Sequence, residues 1–206
     1  MKIGIFGGSF NPPHNMHQDI ALNLIKENYL DKVIFVPTGN YYPKSELIEF
    51  KHRYQMLKLM VGSNPDIKVS DYESKGELTY TYQTLDYFQS LYSNAEIYFI
   101  LGSDNLKSFK KWKNYEYILK KYKILVINRN DDDIKSILSE YIDYQNNIIS
   151  ADIPLKEISS TEIRKQIRTG IDLKNKLDKQ VIDYIKKMKL YVNLRRSYYE
   201  KNIKKV

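Results

Sequence analysis

Two of the three histidines, His14 and His17, stand three residues apart behind a pair of glycines. The run is Phe6-Gly7-Gly8-Ser9-Phe10-Asn11-Pro12-Pro13-His14-Asn15-Met16-His17, and it follows the apolar Ile3-Gly4-Ile5-Phe6. Glycine lets backbone N–H groups approach an anion closely, and the positive end of a helix that follows points at the same place. Residues 18–25 are amphipathic, so the segment reads as strand, glycine turn and helix, with both imidazoles on one face of the first helical turn. Two imidazoles beside such a cradle can donate hydrogen bonds to phosphoryl oxygens, which makes this a site for handling phosphate. Zinc would need a third and fourth ligand, and with no cysteine and only His52 left that reading is disfavoured. A second candidate lies near the other end. Ser159-Ser160-Thr161 precedes an amphipathic stretch and reads as an N-cap segment, with Ser159 or Ser160 as the cap and Arg164 one turn in. Arg168, a turn further, reads as solvated.

The elements that must hold these residues alternate. Strand-like runs fall at 2–6, 32–37, 67–71, 96–102, 123–128 and 147–150; helical patterns fall at 14–28, 51–61, 81–92, 105–112, 132–141, 160–169 and 179–188. Ile97-Tyr98-Phe99-Ile100-Leu101 is apolar throughout, which predicts a strand buried on both faces. Strand–helix alternation predicts a doubly wound parallel α/β sheet, with ligands at the carboxyl ends of its strands. Each candidate motif follows a strand, as that rule requires. The run Asp131-Asp132-Asp133 reads as a loop and helix N-cap.

The 206 residues suffice for one substantial core, and no apolar run approaches the ~20 residues needed to span a bilayer. The N-terminus begins at once with a strand, so no signal peptide is expected. Absence of cysteine fits a cytoplasmic location. The net charge of +8 raises nucleic-acid binding, but the excess is concentrated late, in Lys186, Lys187, Lys189, Arg195, Arg196, Lys201, Lys204 and Lys205, where such runs are usually solvated. We expect one domain over 1–191 and a basic tail over 192–206; nucleic acid is disfavoured as a partner, and homo-oligomerisation is left open.

The first motif resembles the signature of nucleotidyltransferases with a His-x-Gly-His motif, and later motifs narrow the likeness. Phe50, Arg53 and Met56, then Tyr80-Thr81-Tyr82-Gln83-Thr84-Leu85, then Gly102-Ser103-Asp104 followed by Trp112, then Ile158-Ser159-Ser160-Thr161-Glu162-Ile163-Arg164, come in the order found in bacterial nicotinate-nucleotide adenylyltransferases. The likeness spans about residues 1–191. It implies a Rossmann-like nucleotidyltransferase fold and transfer of the adenylyl group of ATP to nicotinate mononucleotide, giving nicotinate adenine dinucleotide and pyrophosphate. It also implies Mg²⁺ held by the ATP phosphates, with no metal held by the protein itself. By resemblance His14 and His17 are catalytic, and the ATP site comprises Gly7, Gly8, Ser9, Phe10, His14, His17, Ser159, Ser160, Thr161 and Arg164. The acceptor site comprises Gly8, Ser9, Lys44, Thr81, Thr84, Asp104, Trp112 and Arg129, with Trp112 stacking on the nicotinate ring. The alternatives are a relative acting on nicotinamide mononucleotide, phosphopantetheine or an alcohol phosphate, or a nucleotide-binding regulator without catalysis. The chain departs from the family at four places: Met16 replaces the glycine between the histidines, Tyr42 and Pro43 precede Lys44 without the usual histidine, Asn130-Asp131 follows Arg129 in place of Pro-Gly, and Leu177-Asp178 replaces Leu-Pro.

Overall fold

Apolar runs long enough to bury both faces become strands, and the amphipathic runs between them become helices. In the computed structural model β1 (Lys2–Gly8), α1 (Asn15–Lys26), β2 (Lys32–Pro37), α2 (Phe50–Val61), β3 (Ile67–Val69), α3 (Thr81–Leu91) and β4 (Glu96–Gly102) are followed by α4 (Ser103–Leu106), α5 (Tyr115–Lys121), β5 (Lys123–Ile127), α6 (Ile134–Ser139), β6 (Ile148–Ala151), α7 (Ser160–Thr169) and α8 (Lys179–Lys187). Short 3-10 turns lie at Tyr72–Ser74, Phe109–Lys111 and Ile142–Asn147. The structure describes residues 1–41, 46–74, 76–128, 132–154 and 158–192; the tail beyond them, Lys44 and Arg129 lie outside.

The strands form one parallel sheet in the order β3-β2-β1-β4-β5-β6. Their side chains divide with a period of two. Val33, Phe35, Tyr98, Ile100, Leu125 and Ile127 join the core beneath α1, α2, α7 and α8. Ile34, Val36, Ile97, Phe99, Leu101, Ile124 and Val126 join the core beneath α3, α4, α5 and α6. A one-residue slip of any strand would exchange these two sets, so the register is strongly specified. The first three strands run outward from β1, and the chain then crosses through α3 to place β4 on the other side of β1. That reversal opens a crevice at the carboxyl ends of β1 and β4. No helix among the described residues is long and apolar enough to cross a membrane.

Several expectations are corrected. The glycines are not in a turn: β1 runs through Gly7 and Gly8, which pair with Val36 and Pro37, and the turn comes after them. The helix expected over 105–112 is split into α4 and a 3-10 turn, and α5 was not foreseen. Asp133 does cap α6, accepting from the Ser136 N–H at 3.1 Å. Asp178, where the family has proline, caps α8 by accepting from the Gln180 N–H at 2.7 Å.

Candidate active site

The loop leaving β1 is held by a buried cation. Arg53 of α2 is 0% exposed and donates to three carbonyls: Nε to Ile48 at 2.9 Å, Nη1 to Ser9 at 3.0 Å and Nη2 to Thr38 at 2.6 Å. It thus joins the ends of β1 and β2 to the segment before α2. Burial pulls Arg53 down to about 10, which leaves it charged at neutral pH. Phe10 adopts a left-handed backbone, φ 44, a conformation that costs on the order of 1 kcal/mol outside glycine. Its ring is locked edge-on against Phe6, Phe35 and His17. The space beneath it is tight, since a Cβ at Gly8 would sit 3.0 Å from that ring.

His14 is the N-cap of α1, with extended backbone, and His17 is its third residue. The two are therefore not both within the first turn, as the sequence reading had them. Their rings nevertheless stack, with centroids 3.7 Å apart. The His14 N–H donates to His17 Nδ1 at 3.1 Å. With Nδ1 accepting, the proton of a neutral His17 sits on Nε2. Met16, in place of the family's glycine, turns into the core beneath the site and is 3% exposed.

Ser159 caps α7 by backbone position, with no side-chain capping bond, and the Ser160 hydroxyl donates to the Pro12 carbonyl at 2.8 Å. The start of α7 is thereby tied to the loop after β1. Arg164 is buried and donates from Nη1 to the Asn11 carbonyl at 2.9 Å and from Nε to Glu46 at 3.2 Å. Arg168 is not simply solvated: it pairs with the same Glu46 at 2.8 Å. The hydrogen bond from Arg168, and then that from Arg164, hold the Glu46 carboxyl below the usual range. The Asn11 side chain donates to the Glu46 carbonyl at 2.8 Å and accepts from the Tyr191 hydroxyl at 2.9 Å.

On the other side of the crevice, Trp112 leaves its 3-10 turn with extended backbone and packs against Phe109 and Phe99, at centroid distances of 5.0 and 6.1 Å. Thr81 and Thr84 belong to the start of α3. The polar groups of Thr84 are engaged, its hydroxyl with Glu73 at 2.8 Å and its N–H with the Tyr80 carbonyl at 3.2 Å. The donors this helix offers a ligand are instead the N–H groups of Thr81 and Tyr82, at positions with no carbonyl partner inside the helix.

A single cavity of about 590 Å³ collects these groups: Gly7, Gly8, Ser9, Phe10, His14 and His17 from the first segment, Thr81, Thr84, Asp104 and Trp112 from the second side, and Ser159, Ser160, Thr161 and Arg164 from α7. Every predicted site residue that the structure describes lines it. It also brings in residues that the sequence reading missed, namely Thr38, Glu73, Lys111 and Lys113. Thr38 directly follows the carboxyl end of β2, so the strand-end rule could have found it. Imidazoles, hydroxyls and helix N–H groups on one side, and an indole on the other, suit a polyphosphate joined to an aromatic ring.

The comparisons with known proteins agree. The family model described as cytidylyltransferase-like matches residues 5–166. A Clostridium tetani protein named "Probable nicotinate-nucleotide adenylyltransferase" is 39% identical over 197 residues, covering 92% of this chain and 98% of its own. A Clostridium acetobutylicum protein of the same name is 40% identical over 198 residues, covering 93% and 99%. Among solved structures, a Plasmodium falciparum nicotinic acid mononucleotide adenylyltransferase complexed with NaAD matches with a TM-score of 0.81 at 29% identity, over 94% of this chain and 99% of that one. With its motifs gathered in one cavity and its likeness running almost end to end, the chain belongs to the nicotinate-nucleotide adenylyltransferase family of cytidylyltransferase-like enzymes.

Proposed function

We propose that this nucleotidyltransferase moves the adenylyl group of ATP onto nicotinate mononucleotide, giving nicotinate adenine dinucleotide and pyrophosphate, a step of NAD biosynthesis. The acceptor phosphate oxygen attacks the α-phosphorus of ATP, the bond to the bridging oxygen breaks, and its electron pair departs with pyrophosphate. Positioning and charge stabilisation supply most of the catalysis. Ser9 acts as a binder, since the step needs no covalent enzyme intermediate. His14 and His17 contact the ATP phosphates, and His17 does so through the Nε2–H that its bond to the His14 backbone leaves as donor. The N-terminus of α7, with the Ser159 and Thr161 hydroxyls, takes the β- and γ-phosphates, and Arg164 reaches the triphosphate from the cavity wall. Trp112, backed by Phe109 and Phe99, offers its cavity face to the pyridine ring, with Asp104 beside it.

Mg²⁺ is expected to arrive with the triphosphate, where it would draw charge from the departing pyrophosphate. The donor set fits that role: the triphosphate side of the cavity offers imidazole, hydroxyl and N–H groups suited to phosphate oxygens. The observation that carries the assignment is the convergence of the histidine pair, the α7 N-terminus and Trp112 on one cavity. Pairing each nucleoside triphosphate with nicotinate mononucleotide, nicotinamide mononucleotide, phosphopantetheine and an alcohol phosphate, and reading pyrophosphate release, tests it. The reading fails if ATP with nicotinate mononucleotide is not the best pair.

A further inference from the structure

A carboxyl group that the reaction does not use stands behind the acceptor side of the cavity. Glu73, in the 3-10 turn between β3 and α3, is 9% exposed and lines the cavity. Its Oε1 accepts the Thr84 hydroxyl at 2.8 Å, and the carboxyl also accepts the Gly39 N–H. Gly39 has no room for a side chain, because a Cβ there would fall 2.5 Å from the Glu73 carbonyl oxygen. The segment after β2 and the start of α3 therefore grip this residue from two sides, and the carboxyl is held in place.

Among the described residues little positive charge compensates it. Arg53 is the described cation whose charge reaches it, and that guanidinium already serves three carbonyls. Tyr72 on the same turn is pushed up by burial and stays a neutral phenol. Glu77, in the segment leading to α3, and Asp86 of α3 add no positive charge, and Asp86 is paired with Lys121. Across the cavity stand His14, His17, Asp104, Lys111, Lys113 and Arg164. Burial outweighs the bonds from Thr84 and Gly39 and the pull of Arg53, lifting the carboxyl to about 7.

We propose that Glu73 sets which ring charge the acceptor site accepts: neutral, it tolerates a nicotinate carboxylate against the wall formed by Thr81 and Thr84, and ionised, it repels that carboxylate while leaving a carboxamide unaffected. This rests on the placement of the pyridine ring proposed above. Preference for the acidic ring then weakens as pH rises through neutrality. A like charge across such a site, at an effective dielectric constant of about 20, changes affinity by about tenfold or more.

Trp112, the chain's one tryptophan, supplies the probe. Quenching of its fluorescence gives dissociation constants for nicotinate mononucleotide and nicotinamide mononucleotide between about pH 6 and 8.5, in the wild type and in Glu73→Gln. Comparing the two proteins with one ligand cancels the titration of the ligand's phosphate and of both histidines. For nicotinate mononucleotide, the wild-type constant should rise about tenfold relative to the variant across this range, with no such rise for nicotinamide mononucleotide. Equal pH dependence in the two proteins, or an equal rise for the two ligands, overturns the proposal and leaves the reaction standing. Failure of both nucleotides to bind overturns the acceptor reading and this proposal with it. Should Glu73→Gln fold poorly, the two ligands compared in the wild type decide the matter alone.

Discussion

Arg53→Lys tests whether one buried guanidinium holds the loop leaving β1. Arg53 reaches Ile48, Ser9 and Thr38 with three separate nitrogens and lies 5.6 Å from the Phe50 ring centroid. An ammonium on a flexible stem can replace one of these bonds and lacks the fork geometry. Two partly buried carbonyls then lose their donors, each at about 1–3 kcal/mol, so the variant should be destabilised by about 2–6 kcal/mol. Against a total of about 5–15 kcal/mol for a domain, that is a large fraction. Urea unfolding followed by circular dichroism measures it, with the slope expected to stay constant while the midpoint falls. Because Ser9 and Thr38 both line the cavity, KM should rise for ATP and for the acceptor together. An unfolding free energy within about 0.5 kcal/mol of the wild type, together with unchanged KM values, would refute the argument that Arg53 ties β1 and β2 to the site.

Four further outcomes are expected. His14→Ala and His17→Ala should each lower turnover by about 10²–10³, because removing one donor to developing charge costs roughly 3–4 kcal/mol; near-normal pyrophosphate release in both would sink the mechanism. Arg164→Ala should raise KM for ATP far more than for the acceptor through loss of a charge-assisted phosphate contact, and an equal rise for both would make Arg164 purely structural. Glu73 is a raised carboxyl, so its native form holds a proton that the unfolded chain has lost between 4.5 and about 7, and wild-type stability should fall as pH rises through that window. The fall is of order 3 kcal/mol at about 1.36 kcal/mol per pH unit, and Glu73→Gln should remove it; parallel stability profiles in the two proteins would contradict the assignment. Deleting residues 194–206 should leave turnover intact, whereas deletion from residue 190 onward should impair it by removing the Tyr191 hydroxyl from Asn11, a contrast that steady-state assays of both truncations can deny.

The strands were legible because their apolar runs are short, bounded and able to bury both faces. Ile97-Tyr98-Phe99-Ile100-Leu101 lies entirely within β4. The histidine pair and the serine run were legible as chemistry because each follows a strand, and the sheet then carries them to one edge. What the sequence hid was set by contacts remote along the chain. Arg168 reads as solvated until Glu46, 122 residues away, is placed beside it. Glu73 falls between the strand-like run at 67–71 and the helical pattern at 81–92, in no motif, and its burial shows only once Gly39 and Thr84 are placed against it. α5 escaped notice because it spans two turns and enters through Asn114, whose φ of 57 is left-handed and unlike a conventional cap.

The division of the core by the sheet has a consequence for how this protein can change. Groups assigned to the triphosphate hang from α1 and α7, which share one core, while groups assigned to the acceptor ring hang from α3, α4 and the segment ending at Trp112, which share the other. The sheet between them acts as a partition. Substitutions that refit the acceptor side repack against Leu85, Phe88, Leu106 and Phe109 and leave the layer under the histidines undisturbed. One chemistry can therefore be kept while the molecule it acts upon drifts.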